Sequence, residues 1–214
     1  DFFLISNSGF VVLTPQTTFW LFQLRPQCLP PYGMPVPEDY HVLSNGLLMG
    51  ETYPQTGWKR THWRETYPIV TYLISIAAAP YTIVNRDYTW QQTTMPLQYY
   101  VYEEDQEKAL DALELTEEMM DFFSIYIDTY PFIDKKYSMA EVPFKQAGAM
   151  ENQTATTMHE NIMANENVIA HELAHQWWGD AITPSSFVDI WLNEGFATYF
   201  EALFIECKYG EETF

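Results

Sequence analysis

His171 and His175 stand four residues apart in a stretch, Glu166 to Trp178, that contains neither Gly nor Pro. On a helix, residues four apart share one face, so both imidazoles can reach a single metal ion. Glu172 lies beside the first of them without being an obvious ligand, which completes the pattern H-E-x-x-H. A hydrolytic zinc site takes three protein ligands and keeps a fourth position open for water. Glu194 supplies the third, with eighteen residues between it and His175. The rival H-E-x-x-H-x-x-G-x-x-H would need Gly at 178 and His at 181; Trp178 and Ala181 exclude it. At this chain's composition an accidental H-E-x-x-H arises in roughly 1 in 100 sequences, and a Glu at one fixed later position lowers that to about 1 in 1000. A chain with this pattern must bring the helix bearing the histidines up against whatever carries Glu194.

The rest of the chain divides by texture. Up to about Pro96 it is broken every few residues by Pro, Gly, Asn and Asp, and the pieces between are rich in Thr, Val, Ile, Tyr and Trp. That is strand composition. Tyr40 to Leu43, closed by the turn signal Ser44-Asn45-Gly46, reads as one strand, and Ile69 to Ile76 as another. Residues 1–101 are therefore expected to form an antiparallel β domain, present in part. From Glu103 to about Tyr130 there is no Gly or Pro, acidic residues crowd the first turn, and Leu110, Leu113, Met120, Phe123 and Ile127 recur at roughly helical spacing. The acidic start suits the helix dipole, and Pro131 ends the pattern. A strand over Tyr137 to Val142 follows, then the small-residue loop Gly148 to Asn152. Two further helices are expected: Glu166 to Trp178, stopped by Gly179, and one beginning between Ser186 and Asn193 and running to about Tyr209, with Gly210 as its cap.

Composition removes several functions. The chain has 29 acidic against 10 basic side chains and a formal charge of -19, a field that repels phosphate backbones and anionic lipid, so no nucleic-acid partner is expected. An apolar fraction of 47%, with 17% aromatic, belongs to a folded protein with a substantial core. Only Cys28 and Cys207 are present, which rules out a disulfide framework and reads as two buried small apolar residues. No apolar run approaches the roughly 20 residues of a membrane span, and Asp1-Phe2-Phe3-Leu4-Ile5 lacks the basic start of a signal peptide, which leaves a cleaved precursor open. An acidic, Lys-poor surface fits a periplasmic or secreted enzyme, with a cytosolic one as the alternative.

Three motifs in order carry a family resemblance: Gly148-Ala149-Met150-Glu151-Asn152, then His171 to Asp180 (HELAHQWWGD), then Trp191-Leu192-Asn193-Glu194-Gly195-Phe196-Ala197. Together they resemble the zinc aminopeptidases of the aminopeptidase N type, a gluzincin family. Weaker likeness extends to Val36 to Tyr40 with Ser44-Asn45-Gly46, and to Tyr67-Pro68 with Thr71-Tyr72-Leu73, so that it covers most of residues 36 to 206. The resemblance implies an α+β fold: the N-terminal antiparallel β domain, then a thermolysin-like zinc-binding α/β domain over residues 102–214, incomplete at its C-terminal side. It also implies one zinc ion held by His171, His175 and Glu194, with Glu172 as general base for metal-assisted peptide hydrolysis. The Glu of the loop, Glu151, takes the free α-ammonium of a peptide substrate, and Gly148 and Ala149 let backbone approach that substrate closely, with Met150 and Asn152 completing the binding segment.

Glu201 follows Glu194 by two helical turns on nearly the same face, where it can orient a metal-bound histidine or simply face solvent. His159, His41 and His62 read as ordinary histidines, and Trp177, Trp178 and Trp191 as core. Family members place a Tyr that stabilises the tetrahedral intermediate, and a helical domain, beyond the glutamate ligand; both would lie past Phe214, so this sequence is expected to be part of a longer enzyme. Two other readings stay open: a different gluzincin hydrolase, of endopeptidase or epoxide-opening type, and a zinc-containing binding module without activity.

Overall fold

The structure, a computed structural model, describes residues 23–24, 33, 35–143 and 148–210. Cys28 and Phe214 lie outside them. The fold is mixed α+β, antiparallel sheets first and an α/β region after. In the first part, β1 (Gln23–Leu24) pairs with β6 (Ile69–Val70), β3 (His41–Ser44) with β7 (Ile76–Ala79), and β5 (Trp58–Arg64) lies between β2 (Pro35–Pro37) and β4 (Leu47–Gln55), every pair antiparallel. Strand β5 shows the expected period of two: Lys59, Thr61 and Trp63 are buried while Trp58 and Arg64 face out.

A five-stranded sheet, in the order β11-β12-β10-β9-β8, forms the centre. The hairpin β8 (Thr82–Trp90) and β9 (Thr93–Val101) joins β10 (Tyr137–Val142) in parallel, β10 joins β12 (Ala155–His159) in parallel, and β11 (Ala149–Met150) closes the edge antiparallel to β12. The sheet thus takes strands from both sides of residues 101 and 102. All six residues of β10 are buried, as a parallel strand covered on both faces requires. Neighbouring residues show the two covers. Tyr99 and Met139 pack with the helices, whereas Tyr100 and Ala140 pack with Leu43, Trp63 and Ala77 of the β region.

Helix α1 (Gln106–Tyr126) is the crossover between β9 and β10; it buries Ala109, Ala112, Leu113, Met119, Met120 and Phe123 on the sheet, while Leu110 is exposed. Phe123 meets Trp177, Phe200 and Phe204, so truncating it to Ala should cost about 3 to 5 kcal/mol. The helix stops at Tyr126, before the expected Tyr130, because the chain turns at Asp128, whose carbonyl accepts from Trp177 Nε1 at 2.8 Å. Helix α2 (Glu166–Ala174) starts at Asn165, whose side chain accepts from Val168 N, and packs between α1 and α3 (Trp191–Tyr209). Gly210 closes α3 at φ 89°, as expected of a C-terminal glycine.

Five other expectations change. The run Ile69 to Ile76 is two strands broken by a 3₁₀ turn over Thr71–Leu73, because Asn45 draws the Leu73 carbonyl into a hydrogen bond of 3.0 Å. The segment Gly148 to Asn152 is partly edge strand rather than loop. Cys207 is exposed, Trp191 is exposed, and His159 is buried at the end of β12. Among the described residues, no helix is long and apolar enough to cross a membrane.

Candidate metal centre

His171 sits in the last turn of α2 and His175 caps it, with His175 N donating to His171 O at 3.2 Å. The helix ends at Ala174, four residues short of the expected Trp178. There the chain tightens, with Gln176 N on Leu173 O and Trp177 N on Ala174 O, and reverses at Gly179, where φ is 139°. That reversal is close: a Cβ on Gly179 would lie 3.2 Å from Asn193 Nδ2 and 3.3 Å from His175 Nδ1. Only glycine combines this φ with so near an approach to the ring.

The turn places the Trp178 carbonyl 3.0 Å from His175 Nδ1, and α3 places Glu201 Oε2 3.2 Å from His171 Nδ1. A carbonyl and a carboxylate can only accept, so each Nδ1 carries a proton, which leaves Nε2 as the atom each ring would turn to a metal. The two Nε2 atoms are 3.1 Å apart, and Glu194 Oε2 lies 3.3 Å from that of His171 and 3.5 Å from that of His175. Ligand atoms bound at 2.0 to 2.1 Å in a tetrahedral shell are separated by about 3.3 Å, so the donor set and its spacing fit a zinc ion. Among the described residues this His-His-Glu trio is the group able to hold a metal. Glu201, which also accepts from Asn167 Nδ2 at 3.1 Å, supports a ring rather than facing solvent alone.

The electrostatics favour a cation. Burial opposes charge on His171, but hydrogen bonds to Glu194 and Glu201 outweigh it and raise the imidazole to about 10. Glu194 is held well below the usual carboxylate range by His171 and His175. The site therefore draws a proton in the absence of metal, and a metal ion entering it must displace that proton. Glu172 is buried, its Oε2 has no hydrogen-bond partner, and burial, reinforced by Glu151, pushes it to about 8; a cation at the three ligands would oppose that rise.

Opposite the helices runs the segment predicted to bind substrate. Gly148 accepts from His159 N at 2.9 Å, Ala149 and Met150 pair with Met158 and Thr157, and Met150 packs against the cluster of Ile69, Val70 and Leu73. A Cβ at Gly148 would meet Ile162 Cδ1 at 3.7 Å, ordinary contact, so the fold itself does not demand glycine there. Glu151 is buried; burial raises its carboxyl, the nearby His175 opposes that, and Glu194 adds to it. Asn152 Oδ1 accepts from Thr157 Oγ1 at 3.1 Å. The structure thus brings His171, His175 and Glu194 into contact, sets Glu201 behind His171, and leaves Glu151 and Glu172 within each other's field.

Several residues at the site make contacts to which the sequence reading assigned no role, although most of them lie within its motifs. Gln176 donates to Glu151 O and accepts from Thr154 N. Asn193, next to Glu194, donates to Tyr72 OH of the β region at 3.2 Å. Asn45 reaches Gln153 O at 2.5 Å and Lys136 reaches Thr154 O at 2.6 Å. Asn45 had read only as part of a turn.

Residues 111–214 match the family described as Peptidase family M1 domain. The glutamyl aminopeptidase of Rattus norvegicus is 33% identical over 180 residues, which covers 78% of this chain and 19% of that protein. Aminopeptidase N of Canis lupus familiaris is 33% identical over 193 residues, 83% of this chain and 19% of its own length. The chain spans about a fifth of the curated relatives it matches. Among solved structures, an M1 zinc metallopeptidase from Deinococcus radiodurans, a point mutant bound to a Tyr-Ser-Ala substrate, aligns with a TM-score of 0.65 and 28% identity, covering 82% of this chain and 40% of that one.

Proposed function

The chain is of the M1 gluzincin aminopeptidase family, and from that premise we propose that it is the metal-binding part of a zinc-dependent aminopeptidase, which removes the N-terminal residue from peptides. The observation that carries this reading is the convergence of two Nε2 atoms and one carboxylate oxygen, with a buried glutamate beside them and another just after the edge strand β11. His171, His175 and Glu194 would hold one zinc ion. When bound, zinc polarises the scissile carbonyl and lowers the pKa of a water toward neutrality. Glu172, with an unpartnered oxygen in a dry setting, takes the proton of the attacking water and hands it to the leaving amine. Glu151 pairs with the substrate's α-ammonium and so measures one residue from the amino terminus. Ala149 and Met150 lie on the sheet edge, where main-chain groups suit an extended peptide, with Gly148 and Asn152 framing them. Glu201 and the Trp178 carbonyl keep both imidazoles facing the metal.

The proposal includes a division of the chain at residues 101 and 102, a β domain before and the catalytic domain after, seamed by the pairing of β9 with β10. It is tested with the native-length protein on an aminoacyl chromogenic substrate and its N-acetylated twin, each with and without a zinc chelator. Chelator-sensitive hydrolysis confined to the free amine is expected. Equal cleavage of both substrates would refute the role of Glu151, and bound zinc with no cleavage of either would point to a binding module.

A further inference from the structure

We infer that Gln176 is a positioning residue: through two hydrogen bonds to main chain it sets where Glu151 stands relative to the histidines, and with it the discrimination for a free amino terminus. The inference rests on the aminopeptidase reading above and adds to it a residue that touches neither metal nor substrate.

Gln176 follows His175 directly and is fully buried. Its Nε2 donates to Glu151 O at 3.1 Å, and its Oε1 accepts from Thr154 N at 2.9 Å and from Tyr130 OH at 3.3 Å. One carboxamide therefore grips both ends of the turn from Glu151 to Thr154, reading a carbonyl and an N–H as a neighbouring strand would. The turn itself is closed by Ala155 N on Asn152 O at 2.9 Å.

Thr154 shows why such a grip is needed. It is a β-branched residue at φ 61°, a conformation that persists only where its surroundings enforce it. Four partners do so: Gln176 Oε1 on its N–H, Lys136 Nζ and Ser138 N on its carbonyl, and Gly46 N on its hydroxyl. Lys136 and Ser138 come from the approach to β10 and its first turn, and Gly46 from the β region. Only Gln176 comes from the segment that carries His171 and His175, so it transmits the position of the metal ligands to this turn. Glu151 needs that control because its carboxylate is buried and so has one narrow place from which to meet a substrate amine. A displacement of about 1 Å in such a group can cost on the order of 100-fold in rate.

The test compares Gln176→Glu with the parent in the native-length zinc protein. A glutamate keeps an acceptor for Thr154 N and Tyr130 OH and replaces the donor to Glu151 O. The expected result is a KM for the free-amine substrate raised on the order of tenfold, with zinc content unchanged and preference over the N-acetylated twin reduced. In a Glu151→Gln background the same substitution should alter KM by less than about twofold, since its route of action is already gone. Losses that multiply independently of Glu151, or a fall in turnover with KM unchanged, would overturn the inference and leave Gln176 a structural residue. If Gln176→Glu does not fold, Gln176→Asn, which keeps the amide but withdraws it by one methylene, is read in the same cycle with the same two outcomes. Should Glu151→Gln alone leave the preference intact, the aminopeptidase reading fails first and takes this inference with it.

Discussion

On one side of the site, His171, His175, Glu194 and Glu201 are placed by helical repeat: spacings of four and seven put them on facing stripes of α2 and α3. On the other side, Glu151 is placed by single bonds between distant segments, among them Asn45 to Gln153 and Gly46 to Thr154, each spanning 108 residues. The helix side is a local code that packing brings together. The loop side is a buried polar network in which each tie depends on the rest of the fold already being in place. Substitutions on the helix side should therefore change metal or chemistry with the seam intact, and those on the loop side should change stability or selectivity with metal affinity intact.

The sharpest separation is at Glu172. Glu172→Gln should lower turnover by about 100-fold to 10,000-fold while zinc stoichiometry, measured by atomic absorption, stays as in the parent. On the loop side, Asn45 makes three buried bonds, to Leu73 O, Gln153 O and Ser75 N. Asn45→Ala should cost about 3 kcal/mol in chemical denaturation and leave zinc affinity within about twofold. A fall in zinc affinity as large as the fall in stability would erase the distinction. Back on the helix side, Glu201→Ala should weaken zinc binding by about 10-fold to 100-fold in a chelator competition, with little change in the melting of the metal-free protein.

The smallest effect is a slope. Lys136 is buried beneath Trp63, and burial, opposed by Glu65, lowers its ammonium to about 7 from an ordinary 10.5. Between those values the unfolded chain holds a proton that the fold does not, so stability from this group rises with pH across that window and is lost as pH falls toward 7. Lys136→Met should remove a contribution that rises by up to about 1.4 kcal/mol per pH unit, read as the difference between the urea stabilities of parent and variant, both zinc-loaded, from pH 7 to 9.5.

This difference also explains what could be read in advance. The H-E-x-x-H pattern and the Gly210 cap are a few residues long, Glu194 follows at one fixed later spacing, and the three motifs in order point to the family. The contacts of Gln176, Tyr72 and Lys136 were unreadable, although the first two lie in the quoted motifs, because their partners are supplied by distant elements and no periodicity marks a side chain that meets a distant carbonyl or amide. The run from Ile69 to Ile76 misleads for the same reason: its β-branched composition asks for one strand, and a tertiary bond from Asn45 breaks it. Leu110 fits the helical repeat of α1 yet lies on its exposed edge, while Ala109 faces the core.

The two histidines differ in what sequence change can do to them. His171 is oriented by a carboxylate, Glu201, which any substitution at that codon can lengthen, shorten or remove. His175 is oriented by the main-chain oxygen of Trp178, which every amino acid at position 178 would supply. One ring is thus open to gradual adjustment over generations, and the other is released by rerouting the chain itself, a change to which Gly179, at its positive φ, is exposed.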